Sequence, residues 1–287
     1  MIDELSHFLQ IAEQGTFTKA AKRAHLSQPA LTAAIQRLEQ TMGAKLFDRG
    51  RGGVQLTAAG QALVPHARAV LTSIADGRRA VDEVLALRAG EVRLGAGATS
   101  CTYLLPPLLF EFRARFPGLH LTLREATSAE ALDAIEAGEL DLAVVAGVDG
   151  VRERQTLTLE HWRDDAMVLV AAPSLAAELA GDPSRIDRAP FVAFSRGTTR
   201  ILLDRHFPSG ERAMELGSLA AIKGNARAGI GVALLSRSAL DRDLQLGTLE
   251  LVPHPATPLH YTLSLAHRGV DRLPPAAAAL RSALLTG

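Results

Sequence analysis

At 287 residues, with 47% hydrophobic and 22% charged side chains, the chain exceeds one typical domain and is too apolar for disorder. Its 31 Lys plus Arg balance 31 Asp plus Glu, which excludes a uniformly basic coat and makes any nucleic-acid footprint local. A single cysteine, Cys101, excludes an intrachain disulfide framework and a multi-cysteine zinc site. The acidic start MIDELSHFLQ and the lack of a membrane-length apolar run predict a cytoplasmic protein with no membrane partner.

In chain order, the spacing of Leu5, Phe8, Leu9 and Ala12 predicts a first helix, with Asp3 as its N-cap and Gly15 as its end. Thr18 is expected to cap a short second helix. The stretch His25-Leu26-Ser27 breaks it, and Ser27 caps a third helix with Pro29 in the first turn, where a missing N–H costs least. Leu31, Ile35, Leu38 and Met42 make the buried face of that helix. Gln28, Thr32 and Gln36 line the opposite face beside Ala33 and Arg37. AKLFDRGRGGVQLT then reads as a small hairpin with an Arg- and Gly-rich tip.

Two helices joined by so tight a break, the second with a polar face of short side chains, describe a helix-turn-helix. The major groove admits one helix, and Gln28 and Gln36 have the donor and acceptor pair that matches an adenine edge. Thr32 suits a base or a phosphate, and Ala33 a thymine methyl. Residues 1–60 hold seven basic and five acidic side chains, a modest excess, so the Arg49 and Arg51 of the hairpin matter most for phosphate or minor-groove contact. The expected DNA-contacting set is Thr18, Ser27, Gln28, Pro29, Thr32, Ala33, Gln36, Arg37, Arg49 and Arg51. The competing reading is a helical subdomain with an Ala-rich surface and no such role.

A helical run from Thr57 to about Arg88 follows. Its apolar seam, Leu63, Ala67, Val70, Ile74, Gly77, Val81 and Val84, repeats every 3.5 residues on average and suits a coiled coil between two chains. From Gly90 the grammar becomes βαβαβ, with strands EVRLGAG, LHLTLREA and LDLAVVAG, and a second α/β unit follows from DDAMVLVAA onward. Ligands of open α/β sheets sit at the carboxyl ends of the strands. Those ends bring forward Thr99, Ser100, Cys101, Thr102, Thr127, Ala146, Ser195, Arg196 and Thr198, with Lys223 as a further charge partner. Hydroxyls and unpaired N–H groups at helix starts favour a small anion, although such hydroxyls also serve as ordinary caps.

Two rival chemistries are open at this stage. Gly95-x-Gly97-x-x-Ser100 after a strand, with Glu125 at the end of the next, mimics a dinucleotide fingerprint and allows an NAD-binding oxidoreductase. Cys101 at a helix start allows a redox or electrophile sensor within a regulator. No nucleophile elbow, zinc-protease motif or phosphate loop occurs, so no catalytic residue, metal or cofactor is expected.

Residues 1–62 closely resemble the winged helix-turn-helix of LysR-type transcriptional regulators. The resemblance rests on FLQIAEQGTFTKAAKRAHLSQPALTAAIQRLE at 8–39, GAKLFDR at 43–49 and LTAAG at 56–60. It continues in register through YLLPPLLFEFRARFPGLHLTL, GELDLAVVAG, IKGNARAGIGVALLS and GTLELV, so it covers nearly the whole chain. It implies a winged helix-turn-helix at 1–60, a linker helix for dimerisation at 61–89 and a two-lobed, periplasmic-binding-protein-like α/β effector domain at 90–287. Lobe I is expected at 90–162 and 267–287, lobe II at 163–266, with crossings near Trp162–Asp164 and Ala266–His267. The resemblance further implies a homodimer or tetramer on an interrupted inverted repeat in double-stranded promoter DNA, a small-molecule effector, and RNA polymerase as a partner. Ala33 and Ala34 stand where the family often has polar or basic residues, and Ser236 replaces a common proline.

Overall fold

The computed structural model describes residues 1–50, 53–85, 90–147 and 156–286. It divides into two compact units, Met1–Leu85 and Ala86–Gly287.

The first unit contains α1 (Ile2–Gln14), α2 (Phe17–Arg23), α3 (Gln28–Met42), a hairpin of β1 (Phe47–Gly50) and β2 (Gly53–Leu56), and α4 (Ala58–Leu85). Helix α1 starts directly after Met1, so Asp3 lies inside its first turn instead of capping it and faces the positive end of the helix dipole. Helix α2 is capped by Thr16, whose hydroxyl accepts from the Lys19 N–H at 3.3 Å, and not by Thr18. Phe17 decides this. Inside the helix it buries its ring, which meets Phe47 edge-on at 6.0 Å.

The break between α2 and α3 spans four residues, 24–27, one more than expected. His25 takes the left-handed conformation (φ 53), while the Leu26 N–H returns to the Ala21 carbonyl and the His25 N–H to the Lys22 carbonyl. That is a Schellman closure with histidine where glycine is usual. Ser27 accepts from the Ala30 N–H at 3.3 Å, with Pro29 in the first turn as expected. Leu31, Ile35 and Leu38 enter a core shared with Phe8, Ile11, Leu46 and Phe47, and full burial of one such side chain stabilises by about 1.5–3 kcal/mol. Met42, expected beside them, is 39% exposed because the helix ends there and Gly43 (φ 69) turns the chain away.

Gly60 explains part of the LTAAG stretch. A Cβ there would stand 2.2 Å from the Leu46 carbonyl oxygen, so α4 packs straight onto that backbone. Ala67 is buried in the unit's own core, with Leu63, Val64 and Leu71 packed against it. The beginning of the seam therefore serves this chain's own core. Val70 and Val81 further along are exposed, and residues 86–89 lie outside the described residues.

The second unit opens with β3 (Glu91–Ala96), a π-helical turn at Ser100–Leu104, α5 (Leu105–Arg115), β4 (His120–Glu125), α6 (Ser128–Glu136) and β5 (Leu142–Ala146). Next come β6 (Thr158–Ala171), α7 (Pro173–Leu179), α8 (Pro183–Ile186), β7 (Pro190–Phe194), α9 (Thr198–His206) and β8 (Glu211–Leu216). Last are α10 (Leu219–Arg227), β9 (Ala233–Ser236), α11 (Asp241–Gln245), β10 (Glu250–Leu251), β11 (Leu259–His267) and α12 (Pro275–Thr286). The π turn has a local cause. Pro106 and Pro107 cannot donate, so the ordinary helical ladder fails through them, and the turn before them closes with the Leu105 N–H on the Ser100 carbonyl.

Strands β4, β3 and β5 are parallel neighbours, and β11 runs antiparallel to both β5 and β6. The long β6 pairs with β11 over Thr158–Met167 and with β9 over Met167–Val170, so it belongs to two lobes. β11 leaves β5 at Leu263, where its register against β6 slips. The second crossing thus lies at Thr262–Leu263, not at Ala266–His267, since Ala266 pairs with Ala143 and is fully buried. Lobe I packs α5 and α12 on one face of the sheet, where the Trp162 Nε1–H donates to the Leu284 carbonyl at 2.9 Å, and α6 on the other. Lobe II packs α7 and α9 around Phe191 and Phe207 on one side and α10 on the other. No helix among the described residues is long and apolar enough to cross a membrane.

Candidate functional site

On α3 the side away from the core is open. Gln28, Pro29, Gln36 and Arg37 are exposed, and Thr32 and Ala33 are half-buried. Ser27 is exposed, its hydroxyl engaged as the cap. Thr18, exposed on α2, reaches Gln28 Oε1 with its hydroxyl at 3.4 Å and steadies the first side chain of that face. Arg37 is tethered: its Nε donates to Glu4 Oε1 at 2.9 Å, and Glu4 also holds the Met1 ammonium. Those two partners, the ammonium first, keep the Glu4 carboxyl below its usual range.

Glu39 escaped the sequence reading. Although nearly buried, it accepts from Lys45 Nζ at 2.7 Å and from the Leu46 N–H at 2.9 Å, which fastens α3 to the first strand of the hairpin. Burial pushes its carboxyl up, but Lys45 and the Leu46 N–H outweigh that and hold it low. The Arg49 backbone pairs with Val54 in the hairpin. Its side chain and all of Arg51 lie outside the described residues.

In the second unit the carboxyl ends of β3, β4, β5 and β7 meet around one cavity. Its volume is about 140 Å³, room for on the order of ten waters. Thr99 and Ser100 after β3, Thr127 after β4 and Ala146 on β5 line it from lobe I. Ser195, Arg196 and Thr198 line it from lobe II, with Thr199 beside them. Ser100 is only 3% exposed, and its hydroxyl has no hydrogen-bond partner among the described residues. A buried polar group left open toward a cavity is a place for a ligand or an ordered water.

Other wall groups are already used. Thr127 forms a reciprocal capping box with Glu130, and Ser128 Oγ accepts from the Ala146 N–H at 3.0 Å. Helix α9 starts after Gly197 (φ 89) with no side-chain cap, so its first N–H groups are open. Arg196 pairs with Glu130, whose other oxygen accepts from the Thr127 N–H at 2.9 Å. The Thr127 N–H first, and Arg196 after it, hold the Glu130 carboxyl low. This ion pair joins the two lobes at the cavity edge.

Three expected wall residues fall outside the cavity. Thr102 is exposed elsewhere. Cys101 turns toward the lobe I core and its Sγ donates to the Ala96 carbonyl at 3.4 Å. Burial, and then the charge of Glu125, push its thiol up to about 11, the reverse of the low value a redox or electrophile sensor needs. Lys223 is 5% exposed, because its ammonium is spent inside the protein. It donates to the Tyr103 hydroxyl at 2.8 Å and the Ala239 carbonyl at 2.6 Å, and it pairs with Asp243.

Glu125, Met167, Phe194 and Tyr261 line the cavity without having been chosen. Glu125 obeys the strand-end rule and was legible by it. Tyr261 sits on the crossing strand β11 and donates to Asp165, which Ser236 also reaches. Burial, and then Asp165, push its phenol well up. Nothing local in the sequence marks it as a wall residue.

Residues 2–61 match the profile of the bacterial regulatory helix-turn-helix protein, lysR family, and residues 86–287 match the LysR substrate binding domain. The chain belongs to the LysR family. It is a DNA-binding transcriptional regulator with an effector-binding domain. A probable RuBisCO transcriptional regulator of Synechocystis sp. is 30% identical over 262 residues, 88% of this chain and 76% of that one. Another, of Porphyra purpurea, is 32% identical over 256 residues, 86% and 81% of the two chains. Full-length LysG of Corynebacterium glutamicum with bound effector Arg superposes with a TM-score of 0.67 at 22% identity, covering 100% of this chain and 97% of that one. Full-length CbnR complexed with its target DNA gives 0.65 at 20% identity, with 99% and 98% covered. At those identities the likeness establishes the fold. Members of the LysR family are regulators, not enzymes, so the oxidoreductase reading falls. Gly95, the first glycine behind it, has a packing cause: a Cβ there would stand 2.5 Å from Leu140 Cδ1.

Proposed function

We propose that this LysR regulator reads an interrupted inverted repeat in promoter DNA with the open face of α3, and that a small metabolite bearing an acidic group sets its activity from the cavity between the lobes. Gln28 and Gln36 approach base edges, Thr32 and Ala33 lie close against the groove, and Arg49 and Arg51 hold the backbone. Two chains pair along the exposed part of the α4 seam, placing two α3 helices in successive major grooves, roughly 34 Å apart. Dimers assemble to a tetramer that contacts RNA polymerase. The functional division is a DNA-binding domain at 1–60, a linker helix at 61–89 and an effector domain at 90–287. Lobe II takes most of 163–266.

The observation that carries the effector reading is the Ser100 hydroxyl, on a buried residue and without a partner among the described residues, on the same cavity as the uncapped start of α9. An acid placed there meets hydroxyls and the positive end of a helix dipole. The ligand acts by binding one lobe arrangement better than another, and it shifts the DNA heads only by that difference. Calorimetric titration of the purified chain with a panel of metabolites, followed by mobility shifts on its own upstream DNA with and without each hit, tests this. Acid-bearing hits that alter the shift are expected. A panel in which only compounds without an acidic group bind refutes the acidic-effector reading.

A further inference from the structure

The cavity wall carries two charged side chains, Glu125 and Arg196, and they are not equivalent. Arg196 already has an internal counterion in Glu130. Glu125 has none: among the described residues its exposed side chain makes no hydrogen bond and no ion pair. Glu125 is the last residue of β4, and its Cα is in register with that of Ala96, the last residue of β3. Adjacent strands lie about 4.8 Å apart, so the Glu125 backbone stands one strand spacing from the end of β3, and its side chain lines the same cavity as Thr99 and Ser100. A purely anionic ligand on those hydroxyls would share the cavity with a like charge that no protein cation neutralises. A ligand with a cation one or two bonds from its acid would satisfy both.

We propose that the effector is a zwitterion of the α-amino acid type, its carboxylate on Ser100, Thr99 and the start of α9, its ammonium on Glu125. This inference rests on the acidic-effector reading above and narrows it. An α-amino acid carries its two charges one carbon apart, and Glu125 and the Ser100 hydroxyl face one small cavity. The modest cavity suits a metabolite of that size better than a nucleotide.

The test is calorimetric titration of the full chain with the twenty L-amino acids and with deaminated partners of the same skeleton, such as succinate for aspartate and glutarate for glutamate. At least one amino acid is expected to bind tenfold or more tightly than its deaminated partner. Glu125→Gln and Glu125→Ala should each weaken that amino acid by about tenfold while leaving or improving binding of the carboxylate. Circular dichroism confirms that both variants are folded, as an exposed position permits. If the deaminated acids bind as tightly as the amino acids, the zwitterion inference is overturned and the acidic-effector reading stands. Binding confined to compounds that lack an acidic group would overturn both.

Discussion

Replacing Lys223 by alanine removes an ammonium that three groups depend on. Asp243, 1% exposed, keeps the Arg227 guanidinium and the Thr248 hydroxyl but loses the Lys223 ammonium, and the carbonyl of Ala239, itself 1% exposed, loses its donor. Breaking a buried pair from one side costs about 3–5 kcal/mol, and the surviving Arg227 contact puts this case near the lower end, about 3 kcal/mol. With a urea slope of about 2–3 kcal/mol per molar, the midpoint should fall by about 1 M. Trp162 is the chain's single tryptophan and is buried in the second unit, so its fluorescence follows that unit alone through a urea titration. A Lys223→Met/Asp243→Asn double variant should recover most of the loss, since no unpaired charge is left buried. Burial pushes the Asp243 carboxyl up, yet Lys223 and Arg227 outweigh it and hold it below its ordinary 3.8. Its stabilisation is therefore full above pH 3.8 and lost as pH falls through the lower folded value, and Asp243→Asn should flatten that acid limb. A Lys223→Ala midpoint within about 0.2 M of the parent would mean a solvated lysine and would refute the reasoning.

Gly60→Ala should lower the melting temperature of the first unit by several degrees, the cost of moving α4 off the Leu46 carbonyl, as read by circular dichroism of the full chain; an unchanged melt would contradict that contact. Alkylation of Cys101 by iodoacetamide should be slow at pH 7.5 and rise toward pH 11, because burial keeps the thiol protonated; a rate like free cysteine at pH 7.5 would revive the sensor reading. Val81→Asp, at an exposed seam position, should lower the mass measured by light scattering to that of the monomer and abolish tight operator binding, and an unaltered mass would place the dimer contact elsewhere.

Much of the DNA-binding unit was legible because its signals are local. The spacing of Leu31, Ile35 and Leu38 and the Ser27 cap before Pro29 need no knowledge of the rest of the fold. The misplaced caps failed for tertiary reasons. Thr16 and Thr18 are equally good caps by type, and only the burial of Phe17 against Phe47 selects the first. In the second unit the strand-end rule named Thr99, Ser100, Thr127, Ala146, Ser195, Arg196 and Thr198, all of which line the cavity. It could not tell which polar side chains turn inward. Whether Lys223 meets solvent, ligand or Asp243 depends on a partner twenty residues on, and the π turn re-aims Cys101 and Thr102 in a way that Pro106-Pro107 only hints at. Strand β8 alternates exposed and half-buried residues, but its charges disguise it as a loop.

The central claim is that the open face of α3 reads bases. Competition of the Gln28→Ala/Gln36→Ala double variant for its operator fragment against scrambled DNA of equal length tests that most directly. The account predicts that operator affinity falls by a hundredfold or so, at about 1–3 kcal/mol per lost base contact, while affinity for scrambled DNA barely changes. A preference for the operator equal to that of the parent chain would contradict it.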